Sequence, residues 1–298
     1  MSSSSLGIEA ALREVLRNAL NEGDRCVLLG ENVAELGGFD GSTVGLASEF
    51  PDQVRDVPIA DRAMVGIAVG LALGGKRPVV HLADTARLYG VLEPLAEAGR
   101  LARHSDFDVP LVVRVPYGQE APGLDQPVGP VVADLGGVAV WCASEPAQAT
   151  GLLATALTQR TPTVVLQPRV LSGHRGRVTT DAVAASPREV RAGHHVTLAS
   201  WGPAVSSALR AADALEAEGV SCQVVDLVSL APIDHAWLGA QVQQTGRLVV
   251  VHPGDPGLAR HVRHAGLDAA FLYLEAPLGE APAHPDAVVE AARAAVHY

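Results

Sequence analysis

The chain has 298 residues, room for two domains at roughly 150 residues each, and its 22 Lys and Arg against 33 Asp and Glu leave a net charge of −11. That balance, with no contiguous basic stretch, excludes general nucleic-acid binding, because nothing is there to neutralise phosphates. With 48% hydrophobic and 18% charged residues the chain can bury a large core, and no apolar run reaches the ~18 residues of a membrane helix.

The opening Met1-Ser-Ser-Ser-Ser lacks the basic and apolar regions of an export signal. Ile8, Leu12, Val15, Leu16, Ala19 and Leu20 then recur at helical spacing, with Ser5 as the expected N-cap and Gly23 as the stop. Short β-branched runs follow at Cys26–Leu29, Arg55–Ile59, Pro78–Leu82, Leu111–Val115, Val138–Cys142 and Thr163–Leu166, apart from Arg55–Ile59 apolar on both faces. Helical stretches over 59–74, 86–104 and 146–158 lie among them. Strand and helix alternate as βαβ units building a parallel sheet do. From Arg169 to Gly193 the composition turns polar, Gly- and Pro-rich, and reads as a surface linker. The alternation restarts with strands at His195–Ala199, Ser221–Leu227 and Arg247–Val251 and helices over 203–218 and 233–244. A weak strand (Ala270–Leu274) and a helix (Pro285–Val296) finish the chain. The expected architecture is α/β in two domains, 1–170 and 193–298, each a mainly parallel sheet flanked by helices, joined by a linker over 171–192. Cys26, Cys142 and Cys222 are an odd set without CxxC spacing, each in an apolar run, which reads as reduced, buried thiols of a cytoplasmic protein.

Several chemical signals dissolve on inspection. Gly70-Leu-Ala-Leu-Gly-Gly-Lys76-Arg77 approaches a P-loop, but Arg77 replaces the magnesium-binding Ser or Thr, and the glycines end a helix instead of opening one. Gly66, Gly70 and Gly74 share one helix face and read better as an interface where another helix approaches closely. His261-x-x-His264 lacks the further donors that zinc requires and reads as a solvated basic face; no metal site is expected. There is neither a Gly-x-Ser-x-Gly elbow nor a Gly-x-Gly-x-x-Gly fingerprint. What remains is a set of polar residues at the carboxyl ends of strands, where open parallel sheets place their ligands. These are Glu31-Asn32, Asp61, Asp84-Thr85 and the Gly- and Pro-rich loop from Tyr117 to Gln126. Asp61 opens a helix, where any carboxylate gains from the dipole.

The order of segments carries a resemblance. Leu29-Gly-Glu-Asn-Val-Ala-Glu-Leu-Gly-Gly, Asp56-Val-Pro-Ile-Ala-Asp-Arg-Ala-Met-Val-Gly and Arg77-Pro-Val-Val-His-Leu-Ala-Asp come first. Val109-Pro-Leu-Val-Val-Arg-Val-Pro-Tyr-Gly, Pro162-Thr-Val-Val-Leu-Gln-Pro-Arg, Ser200-Trp-Gly and Thr245-Gly-Arg-Leu-Val-Val-Val-His follow in order. Together they resemble the beta subunit of the thiamine-diphosphate-dependent component of 2-oxo acid dehydrogenase complexes. The resemblance implies a transketolase-like pyrimidine-binding domain followed by a transketolase C-terminal domain. It also implies thiamine diphosphate shared with an alpha subunit, in an α2β2 assembly. That partner would hold the diphosphate through Mg2+, since this chain has no Gly-Asp-Gly motif: Gly254-Asp255 runs into Pro256.

By the same resemblance Asp61 stands where the family has a glutamate that bonds the pyrimidine ring nitrogen and favours the imino tautomer, so the coenzyme's amino group can deprotonate its thiazolium carbon. Thr85 stands where an aromatic residue stacks on that ring, so stacking would fall to Tyr89 or Tyr117. Asp125 stands where a histidine handles protons, with Gln126 and Tyr117 toward substrate, and Glu31 matches the family beside the ring. The implied activity takes an acyl or two-carbon unit from a 2-oxo acid or ketose donor and passes it to a lipoyl group or a carrier thiol. Three departures at one site also admit a catalytically silent structural subunit.

Overall fold

In the computed structural model, which describes residues 7–38, 40–104, 107–118, 132, 134–173, 178–252, 256–266, 270, 272–278 and 285–297, the chain divides into two units, Met1–Ala184 and Ala185–Tyr298. Each holds a mainly parallel sheet flanked by helices, as the alternating pattern predicts.

The first unit begins with α1 (Ile8–Asn21), which buries Ile8, Ala11, Leu12, Val15, Leu16 and Leu20 on one stripe. Its N-cap is Gly7, without a side-chain bond; the expected cap, Ser5, lies outside the described residues. Then come β1 (Cys26–Gly30), α2 (Leu46–Glu49), β2 (Val54–Asp56), α3 (Asp61–Leu73), β3 (Arg77–His81), α4 (Arg87–Gly90), α5 (Leu92–His104), β4 (Val112–Tyr117), β5 (Ala139–Cys142), α6 (Pro146–Ala156) and β6 (Thr163–Pro168). These strands stand in the order β5-β6-β4-β3-β1-β2, every neighbouring pair parallel. All six residues of β6 are buried, as a strand covered on both faces requires. α6 packs against β6 and α1, while α3 packs against β3 and α5. The stretch read as one helix over 86–104 breaks at Val91. Pro94 has no N–H to bond back to Gly90, so the helix restarts at Leu92 with the proline in its first turn. At the other end of α3, Gly74 and left-handed Gly75 (φ +84°) end the helix, which disposes of the P-loop likeness.

The second unit comprises β7 (Arg188–Arg191), β8 (Val196–Ser200), α7 (Ala204–Glu216), β9 (Cys222–Asp226), β10 (Ser229–Ala231), α8 (His235–Thr245), β11 (Arg247–His252), α9 (Pro256–Gly266), β12 (Leu272–Pro277) and α10 (Asp286–His297). Its sheet runs β12-β11-β8-β9-β7 around Val196, Leu198, Val224, Val249 and Val251, all buried. Asp234 caps α8 by accepting from the Trp237 amide at 2.9 Å, and Gly246 closes the helix at φ +67°. β7 lies inside the stretch read as linker, yet pairs antiparallel with β9, with a register shift between Glu189 and Arg191. β12 starts two residues later than the expected strand at Ala270, because its in-register pairing with Arg247–His252 sets its bounds. On α9, Arg260, Arg263 and His264 are exposed, in keeping with a solvated basic face. Among the described residues all three cysteines are buried and none is in a disulfide, and no helix is long and apolar enough to cross a membrane.

Candidate functional site

The chain passes from β1 to β2 on one side of the sheet and then to β3 and β4 on the other. The crevice above β1 and β3 is therefore a topological switch point, the place where open parallel sheets bind ligands. Glu31 directly follows β1 and Asp84 follows β3, so both carboxylates stand at this crevice. Asp61 joins them as the first residue of α3, where the helix dipole favours a negative charge. The loop after β1 is fixed from below, because Asp56, the last residue of β2, accepts from the amides of Ala34 (2.8 Å) and Glu35 (3.1 Å).

One cation organises the three acids. Arg87 Nη1 donates to Glu31 Oε1 at 2.8 Å and to Asp61 Oδ2 at 3.0 Å, so a single nitrogen bridges two carboxylates. Asp84 holds the same residue twice: Oδ1 accepts from the Arg87 amide at 3.1 Å, and Oδ2 lies 3.5 Å from its Nε. The four side chains are 17 to 24% exposed, so solvent screens them less than an ordinary surface pair. The hydrogen bond to Asp61, working against partial burial, raises the Arg87 guanidinium above its ordinary range. Three carboxylates against one guanidinium leave a local charge of −2, which favours a cationic ligand bearing N–H donors.

Asp61 also lines an open cleft of about 740 Å³, with Ala63, Gly66, Val69, Gly90 and Glu93. Its floor is the small-residue face of α3. A Cβ at Gly66 or Gly70 would meet nothing within 4 Å, and Ile59, Ile67 and Leu73 of the same region are 75%, 55% and 43% exposed.

A second ionic centre lies on β4. Arg114, 2% exposed, donates to Gln167 Oε1 at 2.7 Å and Ser42 Oγ at 2.5 Å, contacts His81 Nε2 at 3.0 Å and pairs with Asp40. Burial, the largest single influence, opposes the charged form of Asp40, but the Arg114 charge, His81 and the two hydrogen bonds from Ser42 together outweigh it and hold the carboxyl well below its usual range. His81 is driven down from the ordinary imidazole value by burial and by Arg114. An arginine nitrogen can only donate, so His81 Nε2 accepts and the ring is neutral. Arg169, just past β6, reaches the Ala83 carbonyl at 3.0 Å and ties that strand end to the Asp84 loop.

Of the residues singled out in the sequence, Glu31 and Asp61 are brought onto one guanidinium. Thr85 is buried at 3% in the turn that starts α4, where its carbonyl accepts from the Leu88 amide. Tyr89 is 40% exposed on α4, and Tyr117 ends β4. Asp125 and Gln126 lie outside the described residues. Arg87, which ties Glu31 and Asp61 together, is the residue of this cluster that sequence reasoning missed. Three acids at strand ends call for a counter-charge, and an arginine three residues after Asp84 was the available signal.

Comparison with known proteins agrees with this geometry. Residues 4–173 match the family described as transketolase, pyrimidine binding domain, and residues 187–297 match transketolase, C-terminal domain. The chain is 36% identical to the pyruvate dehydrogenase E1 component subunit beta of Leifsonia xyli, covering 92% of this chain and 85% of that one. Its counterpart in Bacillus subtilis is 33% identical over 93% and 89%. The 3-methyl-2-oxobutanoate dehydrogenase subunit beta of Mycobacterium tuberculosis is 33% identical over 92% and 82%. A solved split-gene transketolase, an inactive beta4 tetramer, shares the fold with a TM-score of 0.78 at 22% identity, covering 99% of each chain. With both domains matched in order, and the carboxylate pair standing at the switch point of the first, the chain belongs to the transketolase-like family that contains the beta subunits of 2-oxo acid dehydrogenases.

Proposed function

We propose that this chain is the beta-type subunit of a thiamine-diphosphate-dependent enzyme and works with an alpha subunit. The enzyme takes an acyl or two-carbon unit from a 2-oxo acid or ketose donor and passes it to a lipoyl group or a carrier thiol. The observation that carries this reading is the Asp61 carboxylate, fixed at the head of α3 beside Glu31 and open to the 740 Å³ cleft.

The residues present fit the pyrimidine end of the coenzyme. A carboxylate that lines an open cleft inside a net-negative cluster accepts hydrogen bonds from a flat heterocycle with N–H groups. When bound, the coenzyme supplies an acidic thiazolium carbon and an amino group that can act as its base. Asp61 would hold the ring nitrogen and bias its tautomer, and Glu31 would orient the ring and nearby water. Asp125 and Gln126 are proposed to face the substrate. Diphosphate and Mg2+ would be held by the alpha subunit.

The outward face of α3, with its glycines and Ile67, supports a protein partner on this side, in an α2β2 assembly. A lipoyl-domain protein or acyl carrier would be the acceptor. Three buried cysteines, none in a disulfide, support a reducing, cytoplasmic setting. The test is co-expression with a Gly-Asp-Gly-bearing alpha chain, then calorimetry with thiamine diphosphate and magnesium. Heat of binding, with turnover reduced ~10²–10⁴-fold in Asp61→Ala, is the expected result. A purified pair that takes up no coenzyme would refute the reading.

A further inference from the structure

We propose that Arg87 is a positioning residue for this site, setting the orientation of the Asp61 carboxylate so that the site distinguishes a ring carrying a nitrogen from one carrying carbon at the same place. The inference rests on the functional reading above and deepens it.

Asp61 is the first residue of a helix, so its backbone is fixed and only two side-chain torsions remain to aim the carboxylate. Arg87 removes that freedom. Its Nη1 engages Asp61 Oδ2 and Glu31 Oε1, one oxygen of each carboxylate, so each acid keeps a second oxygen for a ligand donor. The bridge fixes the spacing of the two acids as well as their direction, because both bonds end on the same nitrogen. Arg87 is itself pinned through main chain and side chain by Asp84, so its head group is not a mobile counter-ion. The planar guanidinium is suited to this, since its donors lie in a fixed fork; a lysine would bring one point charge on a flexible stem. Arg87 does not touch the reacting atoms in this proposal and acts through Asp61.

The experiment uses the alpha–beta complex and two probes, thiamine diphosphate and its analogue with CH in place of the ring nitrogen, each titrated with magnesium by calorimetry. A charge-assisted hydrogen bond to Asp61 predicts that the native complex prefers the natural coenzyme by at least about tenfold. In Arg87→Met the preference falls to within about threefold, while both probes still bind. Asp84→Asn, which keeps Arg87 and loosens its anchor, moves the ratio in the same direction and guards against a folding defect in the first variant. A merely structural role would weaken both probes equally and leave the ratio intact, and that result overturns the proposal. Tighter binding of the natural coenzyme by Arg87→Met also overturns it, because Arg87 would then compete for Asp61. Failure of the native complex to bind either probe brings down the functional reading, and the proposal with it.

Discussion

Gly30 and His81 are register partners across β1 and β3, and a Cβ built on Gly30 would stand 2.9 Å from that of His81 and 2.6 Å from Val33 Cγ1. These two neighbouring strands therefore close on each other directly beneath Glu31. Gly30→Ala should destabilise the chain by about 1–3 kcal/mol, the usual cost of overpacking a filled core. It should also displace Glu31 from Arg87. A lowered urea midpoint with unchanged slope is the measurement; an unchanged midpoint would mean that the strands can spread.

The buried imidazole gives a pH prediction. His81 has a folded pKa below its unfolded value of ~6.5, so the unfolded chain binds a proton that the native chain refuses. Its contribution is whole above ~6.5 and is lost as pH falls through the acid range, at about 1.4 kcal/mol per pH unit. Asp40 is also depressed, and its share disappears only as pH falls below the ordinary carboxylate range of ~3.9. Arg114 and Asp40 both act on His81, and Asp40 is lost only below the ordinary carboxylate range, so the window between ~6.5 and ~4 belongs to the histidine within this cluster. Urea titrations at intervals of pH should show that slope, and His81→Gln should flatten it.

Asp61→Glu tests the geometry more sharply than alanine does. The Arg87 bridge is set at 3.0 Å for a side chain one methylene shorter. Lengthening it moves the carboxylate by on the order of 1 Å, a displacement that can cost about 10²-fold at a reacting centre. Turnover of the reconstituted pair should fall while the isolated chain keeps its stability. A rise in turnover would show that the short carboxylate is a defect that the rest of the site does not accommodate.

The glycines of α3 separate stability from association. Nothing lies within 4 Å of a Cβ at Gly70, so Gly70→Ala should stabilise the isolated chain by about 0.5–1 kcal/mol through helix propensity. Gly66→Leu on the same face should leave the chain folded and abolish co-purification with its alpha partner. Co-purification at native yield would move the interface elsewhere.

The fold was legible wherever burial repeats with a local period. α1 announces itself by its 3.6-residue stripe, and β3, β4 and β6 by β-branched runs apolar on both faces. β7 escaped because an edge strand needs no apolar run. Its Arg188 and Arg191 form ion pairs with Asp226, Asp213 and Glu216, and charge at an exposed edge deters further strand pairing. At the site, Glu31 and Asp61 could be read from their places at a strand end and a helix start. Arg87 was signalled only by its place three residues after Asp84; its bridge depends on a side chain leaving α4 for two partners that lie 56 and 26 residues away in sequence.

The bare flank of α3 has a consequence for the cell. A chain that shows Ile59, Ile67 and Leu73 to water is a poor orphan, liable to stick to itself or to be cleared when made in excess. Its dosage must then track that of whatever shields this flank, which favours synthesis of the two chains from one message.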